Sequence, residues 1–194
     1  MANQLDFYFD FRSPYSYLAF TQLGSLPVRA NLLPISVLDV MKIVGNTPTT
    51  VTCGVKGRYA KRDLQRWARH YDVPIAPRSD IAKIDGKMLL RAVLASESVG
   101  VLQSTVETLF FAFWRDAADL SVEGCRKLLR NAGLPADAIL ALVDDQSTVD
   151  ALKHGDQRAA DRGVFGAPTF FVGEDMYFGN DRLDFVRSRL AAEL

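Results

Sequence analysis

Apolar and polar positions change their spacing once, close to the N-terminus. Residues 5–11 alternate, with phenylalanines on one face and mainly polar side chains on the other. A two-residue period that is rich in aromatics predicts a β-strand. After Ser13 and Pro14 the apolar positions continue at helical spacing, which predicts a helix over about 15–24. Ser13 suits the N-cap of that helix and Pro14 its first position.

The rest of the chain predicts three further strands and a long series of helices. A second strand is predicted over 27–35, and a loop at 45–50 by its glycine, asparagine and proline. The remaining strands follow Pro168 and cover 176–178. Helices are predicted over 37–44, 57–71, 87–99, 103–116, 121–131, 135–143 and 147–162, and from Asn180 onward.

The order of these elements predicts the domain organisation. A β–α–β start with one intervening helix implies parallel strands joined by a right-handed crossover. The helical middle is then an insertion between the second strand and a closing strand–strand–helix segment. The predicted domains are 1–37 together with 146–194, and an inserted helical domain over 38–145.

Composition is that of an ordinary soluble globular protein. Hydrophobic residues make up 48% and charged residues 24% of the chain, and the net charge is zero. The scattered lysines and arginines predict neither a nucleic-acid nor a membrane partner. No apolar run reaches the roughly 18 residues of a membrane span, and an acidic residue at position 6 argues against a signal peptide. A cytoplasmic protein is therefore expected.

Two cysteines and two histidines limit the possible chemistry. Cys53 and Cys125 are far apart and form no CxxC motif, so no disulfide is expected. Cys53 is interpreted as an inert thiol, with a reactive thiol near the site as the alternative. His70 and His154 lack the spacing of metal ligands and neighbour no nucleophile motif. Neither a metal site nor a Ser–His hydrolase is therefore predicted.

Two predicted helices leave alternatives open. The helix over 57–71 is basic and aromatic, which fits nucleic-acid binding or, more simply, a solvated face anchored by Trp67. The helix over 103–116 carries a stripe of aromatic residues, which fits a buried core or the wall of an apolar pocket.

Ser13, at the start of a helix, is well suited to hold an anion. Its hydroxyl can accept a bond from the helix backbone while it donates its proton outward, and the helix dipole favours negative charge there. A charge-assisted bond contributes about 1.5–3 kcal/mol. Such a bond would lower the pKa of a bound thiol by about one to two units. The alternative is that Ser13 only caps the helix.

The turn resembles the redox site of thioredoxin-fold oxidoreductases, in which Cys-Pro-x-Cys follows a strand and starts a helix. Here the same frame is Ser13-Pro14-Tyr15-Ser16. Because both sulfurs are replaced by hydroxyls, disulfide exchange is not expected. The site can still stabilise a thiolate that arrives with a small molecule.

Three segments carry a closer resemblance. Residues 7–19 resemble the opening of the glutathione-dependent 2-hydroxychromene-2-carboxylate isomerases and, less closely, of the kappa-class glutathione transferases. Residues 165–169 and 179–183 are similar to the same families. Both families belong to the larger group that also contains the DsbA-type disulfide oxidoreductases. The resemblance implies an α/β fold, a thioredoxin-like domain with a large all-helical insertion.

The resemblance also implies a glutathione site with Ser13 as the catalytic residue. In the resembled families the sulfur of glutathione lies at the first serine of the turn, so Ser13 is expected to donate to the thiolate. Pro168 is expected to be cis, with the backbone of Ala167 paired with the cysteinyl unit. Asn180 and Asp181 are expected to hold the γ-glutamyl end, with a plain helix cap as the alternative for Asn180.

Further binding residues are implied by the same families. Lys42 matches a lysine at the substrate carboxylate, and it is a solvated lysine in the alternative interpretation, as is Lys56. The loop over 49–54 departs from the isomerases, which carry an Asn-Arg pair there for the acidic substrate. The other residues expected to contact glutathione are Tyr15, Asn46, Lys56, Phe178 and Gly179.

The implied reaction is a cis–trans isomerisation in aromatic-compound catabolism, such as naphthalene degradation. Glutathione adds reversibly to 2-hydroxychromene-2-carboxylate in its ring-opened form and leaves again, giving trans-o-hydroxybenzylidenepyruvate. Glutathione is then a regenerated cofactor, the substrate a small aromatic acid, and the enzyme a homodimer. Two alternatives remain: a kappa-like glutathione transferase or peroxidase that consumes glutathione, and a non-catalytic thiol-binding module.

Overall fold

The computed structural model describes residues 4–192, so the outer ends of the predicted domains lie outside the described residues. The strands are β1 (Leu5–Phe9), β2 (Ala30–Pro34), β3 (Thr169–Val172) and β4 (Asp175–Phe178). The helices are α1 (Pro14–Gln22), α2 (Val37–Ile43), α3 (Thr49–Thr52), α4 (Gly54–His70), α5 (Gly86–Glu97), α6 (Leu102–Phe110), α7 (Val122–Asn131), α8 (Ala136–Ala141), α9 (Gln146–Asp161) and α10 (Leu183–Ala191).

The four strands form one mixed sheet in the order β2-β1-β3-β4. β1 and β2 are parallel, with Leu5 opposite Ala30 and Phe9 opposite Pro34. This pairing confirms the predicted β–α–β start. β3 runs antiparallel to both β1 and β4. The α/β thioredoxin-like plan is confirmed, with α5–α8 forming the helical part of the chain.

Strand β1 is buried on both faces, although its sequence alternates. On the aromatic face, the rings of Phe7 and Phe170 stack 5.1 Å apart across the β1–β3 pair. On the other face Tyr8 packs in a core cluster with Ile35, Val40 and residues of α9 and β3. The polar positions of the alternation are therefore covered by helices, so a carboxylate on this face must find its partners inside the protein.

The chain forms two compact units whose boundaries differ from the predicted domains. Residues 1–73 and 156–194 form the unit that contains the sheet, and 74–155 form the helical unit. Residues 38–73 thus belong with the sheet. A physical reason is visible in α4, because the hydroxyl of Tyr15 in α1 donates to Asp63 Oδ2 at 3.0 Å. The sequences of α2–α4 predict that these segments are helical, but not that they pack with the sheet.

The helical unit has its own core, built from α5–α8 and the turn after α6. A π-helical turn over Phe111–Arg115 extends α6, so the predicted helix 103–116 is essentially present. Its aromatic stripe is core, since Phe110 and Phe113 are fully buried. Cys125 is buried in the same unit, and burial raises the pKa of its thiol to about 12.

Two local predictions were wrong. The predicted loop over 45–50 ends earlier, because α3 already begins at Thr49. Asn180 does not cap α10. The chain instead makes a 3₁₀ turn over Asn180–Arg182 before α10, and neither start has a side-chain cap. Within residues 4–192, no helix is long and apolar enough to cross a membrane.

Candidate active site

The turn between β1 and α1 places the Ser13 hydroxyl at the start of α1. Ser13 is the N-cap of this helix, and its Oγ accepts a hydrogen bond from Ser16 N at 3.2 Å. The same hydroxyl donates its proton to Ala167 O at 3.0 Å. Ser13 is therefore both a helix cap, as predicted, and a donor that points away from the helix. The donor is directed at the proline loop.

The buried carboxylate of Asp10 fixes this turn through hydrogen bonds with backbone amides. Asp10 is fully buried, and its backbone carbonyl accepts from Ser13 N at 3.0 Å. Its side chain accepts from Arg12 N at 2.9 Å and from Val37 N at 3.0 Å. Asp10 thus holds the Ser13 turn and the first residue of α2 together. Burial raises the pKa of this carboxyl, while the two amide donors and Arg12 lower it less.

We expect the raised pKa of Asp10 to appear in the pH dependence of stability. The unfolded chain loses this proton near pH 3.8, and the folded chain keeps it to higher pH. Between the two pKa values the folded state binds more protons, so the contribution of Asp10 to stability falls as pH rises. The stability of the wild type relative to Asp10→Asn should therefore decrease from pH 4 upward, as measured by urea unfolding.

The matched control for this measurement is Asp80→Asn. The hydrogen bond from Arg78 lowers the pKa of Asp80, which gives the opposite sign. The stability of the wild type relative to Asp80→Asn should increase with pH, in a window at or below pH 3.8. A constant difference between the wild type and Asp10→Asn across pH 4–7 would contradict the assignment.

The proline loop meets the serine turn where β1 ends and β3 begins, at one end of the two central strands. The Ala167–Pro168 peptide bond is cis, which confirms the prediction for Pro168. Pro168 O accepts from Gly179 N at 2.9 Å, so the loop is tied to the segment that leads into α10. Ser13, Ala167, Pro168 and Gly179, all predicted site residues, therefore lie in one connected group.

Asn46 joins the same group from the loop after α2. Its amide nitrogen donates to Phe165 O at 2.8 Å, and its Oδ1 accepts from Thr47 N at 2.8 Å. Both ends of the side chain are thus engaged in holding the loop against the segment before Ala167. The observed bonds give Asn46 a positioning role, and its contact with glutathione stays a prediction.

The Phe178 ring forms an apolar wall next to Ala167. It is 42% exposed and lies 4.6 Å from the ring of Phe165. Gly166 is buried beneath it, and a Cβ at this position would lie only 2.7 Å from the Phe178 ring. The glycine is therefore required for the ring to cover the loop. This wall offers a surface for an aliphatic or aromatic part of a ligand.

Asn180 and Asp181 follow Gly179 but differ in accessibility. Asn180 is 3% exposed, and its backbone carbonyl accepts from the Tyr71 hydroxyl at 3.0 Å. Its side-chain nitrogen, Nδ2, has no hydrogen-bond partner among residues 4–192. Asp181 is exposed and pairs with Arg182. A ligand can reach the carboxylate of Asp181 directly, whereas the Asn180 side chain is enclosed.

Next to this segment lies a cleft of about 300 Å³. Trp67 and Tyr71 of the α4 end contribute aromatic walls, and Asp181 and Arg187 contribute charges. Burial raises the pKa of the Tyr71 hydroxyl, so it stays protonated and acts as a donor. The cleft extends the candidate site beyond the predicted residues, along the first turns of α10.

The remaining predicted residues show weaker links to the group. Tyr15 is half-buried, and burial followed by its bond to Asp63 raises the pKa of its hydroxyl. Asp181 also raises this pKa, so the two predicted residues are close enough to interact. Lys42 and Lys56 are exposed, and within residues 4–192 neither makes an ion pair or hydrogen bond.

Sequence reasoning did not select several residues that shape the site. Asp10 stood on the polar face of a predicted strand, where nothing marked it as buried. Asp63 and Tyr71 act through contacts to other elements, for which the sequence carries no local signal, whereas Phe165 stands in the 165–169 segment that resembles the known families. Arg12 directly precedes Ser13 in the turn, and this position alone could have marked it as a candidate.

Comparisons with known proteins identify the family of this chain. Residues 4–191 match the family model described as a DSBA-like thioredoxin domain. A 2-hydroxychromene-2-carboxylate isomerase of Sphingobium xenophagum is 33% identical over 201 residues, covering 98% of this chain and 99% of the relative. Glutathione S-transferase kappa 1 of Caenorhabditis elegans is 24% identical over 205 residues, covering 96% of this chain and 90% of the relative.

A solved structure gives the same result. The structure of a 2-hydroxychromene-2-carboxylate isomerase matches with a TM-score of 0.86 and 28% identity, covering 97% of this chain and 94% of the other. Sequence and structure thus agree over essentially the full length of both chains. The chain therefore belongs to the DSBA-like thioredoxin domain family and to the family of the 2-hydroxychromene-2-carboxylate isomerases.

Proposed function

We propose that this protein is a glutathione-dependent cis–trans isomerase. Its substrate is 2-hydroxychromene-2-carboxylate or a related intermediate of aromatic degradation, and its product is trans-o-hydroxybenzylidenepyruvate. The observation that carries the proposal is the hydroxyl of Ser13, which caps α1 and points its proton at the cis-proline loop. A donor in this position suits a thiolate that comes from the ligand, because the turn has no sulfur of its own.

The residues around the cis-proline loop fit glutathione. The backbone of Ala167 is only partly buried and lies beside the Ser13 hydroxyl, where a cysteinyl unit can pair with it. The carboxylate of Asp181 is exposed and suits the ammonium of the γ-glutamyl end. The Phe178 ring, exposed above Gly166, suits the aliphatic part of the tripeptide.

The bound thiol supplies reversible addition to the conjugated double bond of the ring-opened substrate, which becomes single, rotates and is restored when the thiol leaves. The protein's own residues prepare the site for this chemistry. Ser13 turns its proton from Ala167 O toward the sulfur position, and the N-terminus of α1 adds its positive dipole end. Lys42, at the end of α2, supplies a cation for the substrate carboxylate.

The proposal is tested by following product formation against glutathione consumption. An isomerase needs only catalytic glutathione and gives a product with the mass of the substrate. A kappa-like transferase or peroxidase consumes glutathione stoichiometrically, and the segment over 49–54, which lacks the basic residue that the resemblance to the isomerases implies there, is the feature that favours it. Absence of turnover with both conjugated and electrophilic substrates would leave a non-catalytic thiol-binding module.

Gly179 gives a test of the glutathione contacts. Its φ is 97° and its ψ 153°, a region that only glycine adopts readily, and a Cβ there would lie 2.5 Å from Asp181 Oδ1. We expect Gly179→Ala to lose about 1–3 kcal/mol of stability through strain and to displace Asp181. Glutathione affinity, measured by calorimetric titration, should fall by about three- to tenfold, as expected when one polar contact is lost.

Gly163→Ala is the matched control for this substitution. Gly163 has a φ of 95°, and a Cβ there would meet nothing within 4 Å. It should therefore show backbone strain without a change in glutathione affinity. If Gly179→Ala and Gly163→Ala bind glutathione equally well, the proposed contact through Asp181 is wrong.

A further inference from the structure

Arg12 occupies the turn position directly before Ser13. The backbone of this residue is fixed, because its amide donates to Asp10 Oδ1 at 2.9 Å. The residue is partly buried, unlike the exposed lysines Lys42 and Lys56. The backbone that carries this guanidinium is thus anchored one residue before the hydroxyl at the centre of the candidate site.

The guanidinium of Arg12 has no hydrogen-bond or ion-pair partner within residues 4–192. Other arginines of the chain that are not fully exposed have such partners. Examples are the pairs Arg78–Asp80, Arg91–Asp144, Arg126–Asp137 and Arg162–Asp6. In this part of the chain Arg12 alone combines partial burial with an unpaired guanidinium.

Asp10 is a negative group that interacts with Arg12, but its carboxylate accepts no hydrogen bond from the Arg12 guanidinium. Its two oxygens accept from Arg12 N and Val37 N instead. The five N–H donors of the guanidinium therefore remain available. A partly desolvated cation without a partner is costly, and an incoming carboxylate can satisfy it with two parallel charge-assisted bonds.

The segment that follows Asn46 offers no cation to an acidic ligand. Between Asn46 and Lys56 the sequence contains no lysine or arginine. Lys42, proposed above as a cation for the substrate carboxylate, offers a single exposed ammonium. Arg12 adds a planar guanidinium, which matches a carboxylate in both distance and direction.

We infer that Arg12 binds a ligand carboxylate and thereby sets the specificity of the site for acidic substrates. This inference rests on the proposed function and identifies the carboxylate as that of the aromatic acid. The same chemistry could bind a carboxylate of glutathione, and the experiment distinguishes these two sources. Arg12 orients the substrate, whereas Ser13 acts on the thiol.

The experiment compares wild type, Arg12→Gln, Arg12→Lys and Arg29→Gln. Arg29 is an exposed arginine that precedes β2, at the opposite end of the sheet from Ser13, so it controls for loss of charge. Each protein is saturated with glutathione and titrated with 2-hydroxybenzoate and with its neutral amide, 2-hydroxybenzamide. Glutathione binding and thermal unfolding are measured separately.

The expected result is selective. Arg12→Gln should bind 2-hydroxybenzoate about tenfold more weakly, equivalent to about 1.4 kcal/mol, while its affinities for the amide and for glutathione are unchanged. Arg12→Lys should recover part of the loss, and Arg29→Gln should match wild type. In turnover, the KM for the acid should rise in Arg12→Gln while kcat changes little.

Three results would overturn the inference. The first is equal affinity of wild type and Arg12→Gln for the acid, and the second is that wild type does not bind the acid at millimolar concentration. The third is that Arg12→Gln loses affinity for glutathione only. A different result would contradict the proposed function alone. In that case wild type binds the acid through Arg12 but does not isomerise the ring-opened substrate.

Discussion

Substitution of Ser13 by alanine is expected to lower turnover at pH 7 by about 10- to 100-fold. The variant loses the donor that the proposed function directs at the thiolate, and such a charge-assisted bond contributes about 1.5–3 kcal/mol. The pKa of the bound thiol should therefore rise by about one to two units. Activity should partly return as pH rises, because hydroxide then generates the thiolate that Ser13 no longer stabilises.

The pH profile separates this role from that of a helix cap. A lost cap lowers stability by about 1 kcal/mol but leaves the pKa of the bound thiol where it was. The thiolate absorbance of the complex with glutathione, followed against pH, measures that pKa directly. Glutathione affinity should change little, because most of the expected contacts lie at the proline loop and at Asp181.

Ser16→Ala is the control within the same turn. The Ser16 side chain is fully buried, and its hydroxyl has no hydrogen-bond partner among residues 4–192. Its removal should leave both the rate and the thiol pKa unchanged. Wild-type activity and an unchanged pH profile in Ser13→Ala would reduce Ser13 to a helix cap.

Asp10→Ala is expected to destabilise the protein by about 2–5 kcal/mol. The substitution removes the acceptor of two partly buried backbone amides, Arg12 N and Val37 N, and an amide left without a partner costs up to about 1–3 kcal/mol. The Ser13 turn and the start of α2 also lose their shared anchor, so the activity of the folded fraction should fall. Urea unfolding measures the first effect and active-site titration the second.

The control for this prediction is Asp144→Ala. Asp144 forms an ion pair with Arg91 but is 88% exposed, and exposed pairs contribute little. Its loss should change the free energy of unfolding by less than about 1 kcal/mol. Similar effects of the two substitutions would show that the amide bonds of Asp10 do not stabilise the fold.

The elements around the site were largely predictable, because their signals are local. The two-residue period, the Ser13-Pro14 start of α1 and the Gly-rich approach to Pro168 each depend on neighbouring residues. Together with the resemblance to known families they identified the sheet, the cis peptide and the serine turn. The contact between Ser13 and Ala167 then follows from the fold.

Features that depend on packing between distant segments were not predictable. The alternation of β1 places Asp10 on a polar face, and only the folded chain reveals that helices cover it. That residues 38–73 group with the sheet could not be predicted, because α4 has a single buried residue, Ala68, and the Tyr15 hydroxyl that bonds to it comes from the distant α1. Asn180 looked like a cap because the 3₁₀ turn that follows Gly179 has no sequence signal of its own.

The bond from Ser13 to Ala167 also has a consequence for the choice of thiol. A serine hydroxyl can donate one hydrogen bond, and here the Ala167 carbonyl accepts it. The hydroxyl can direct its hydrogen bond to the sulfur without loss only if the Ala167 carbonyl accepts a hydrogen bond from another donor instead. The amide of a cysteinyl peptide can provide one, whereas a simple alkyl thiol cannot. The turn would thus prefer a thiol that has a peptide amide beside it over an alkyl thiol of the same pKa. The preference would arise because the peptide amide replaces the Ser13 hydroxyl as the donor to Ala167 O.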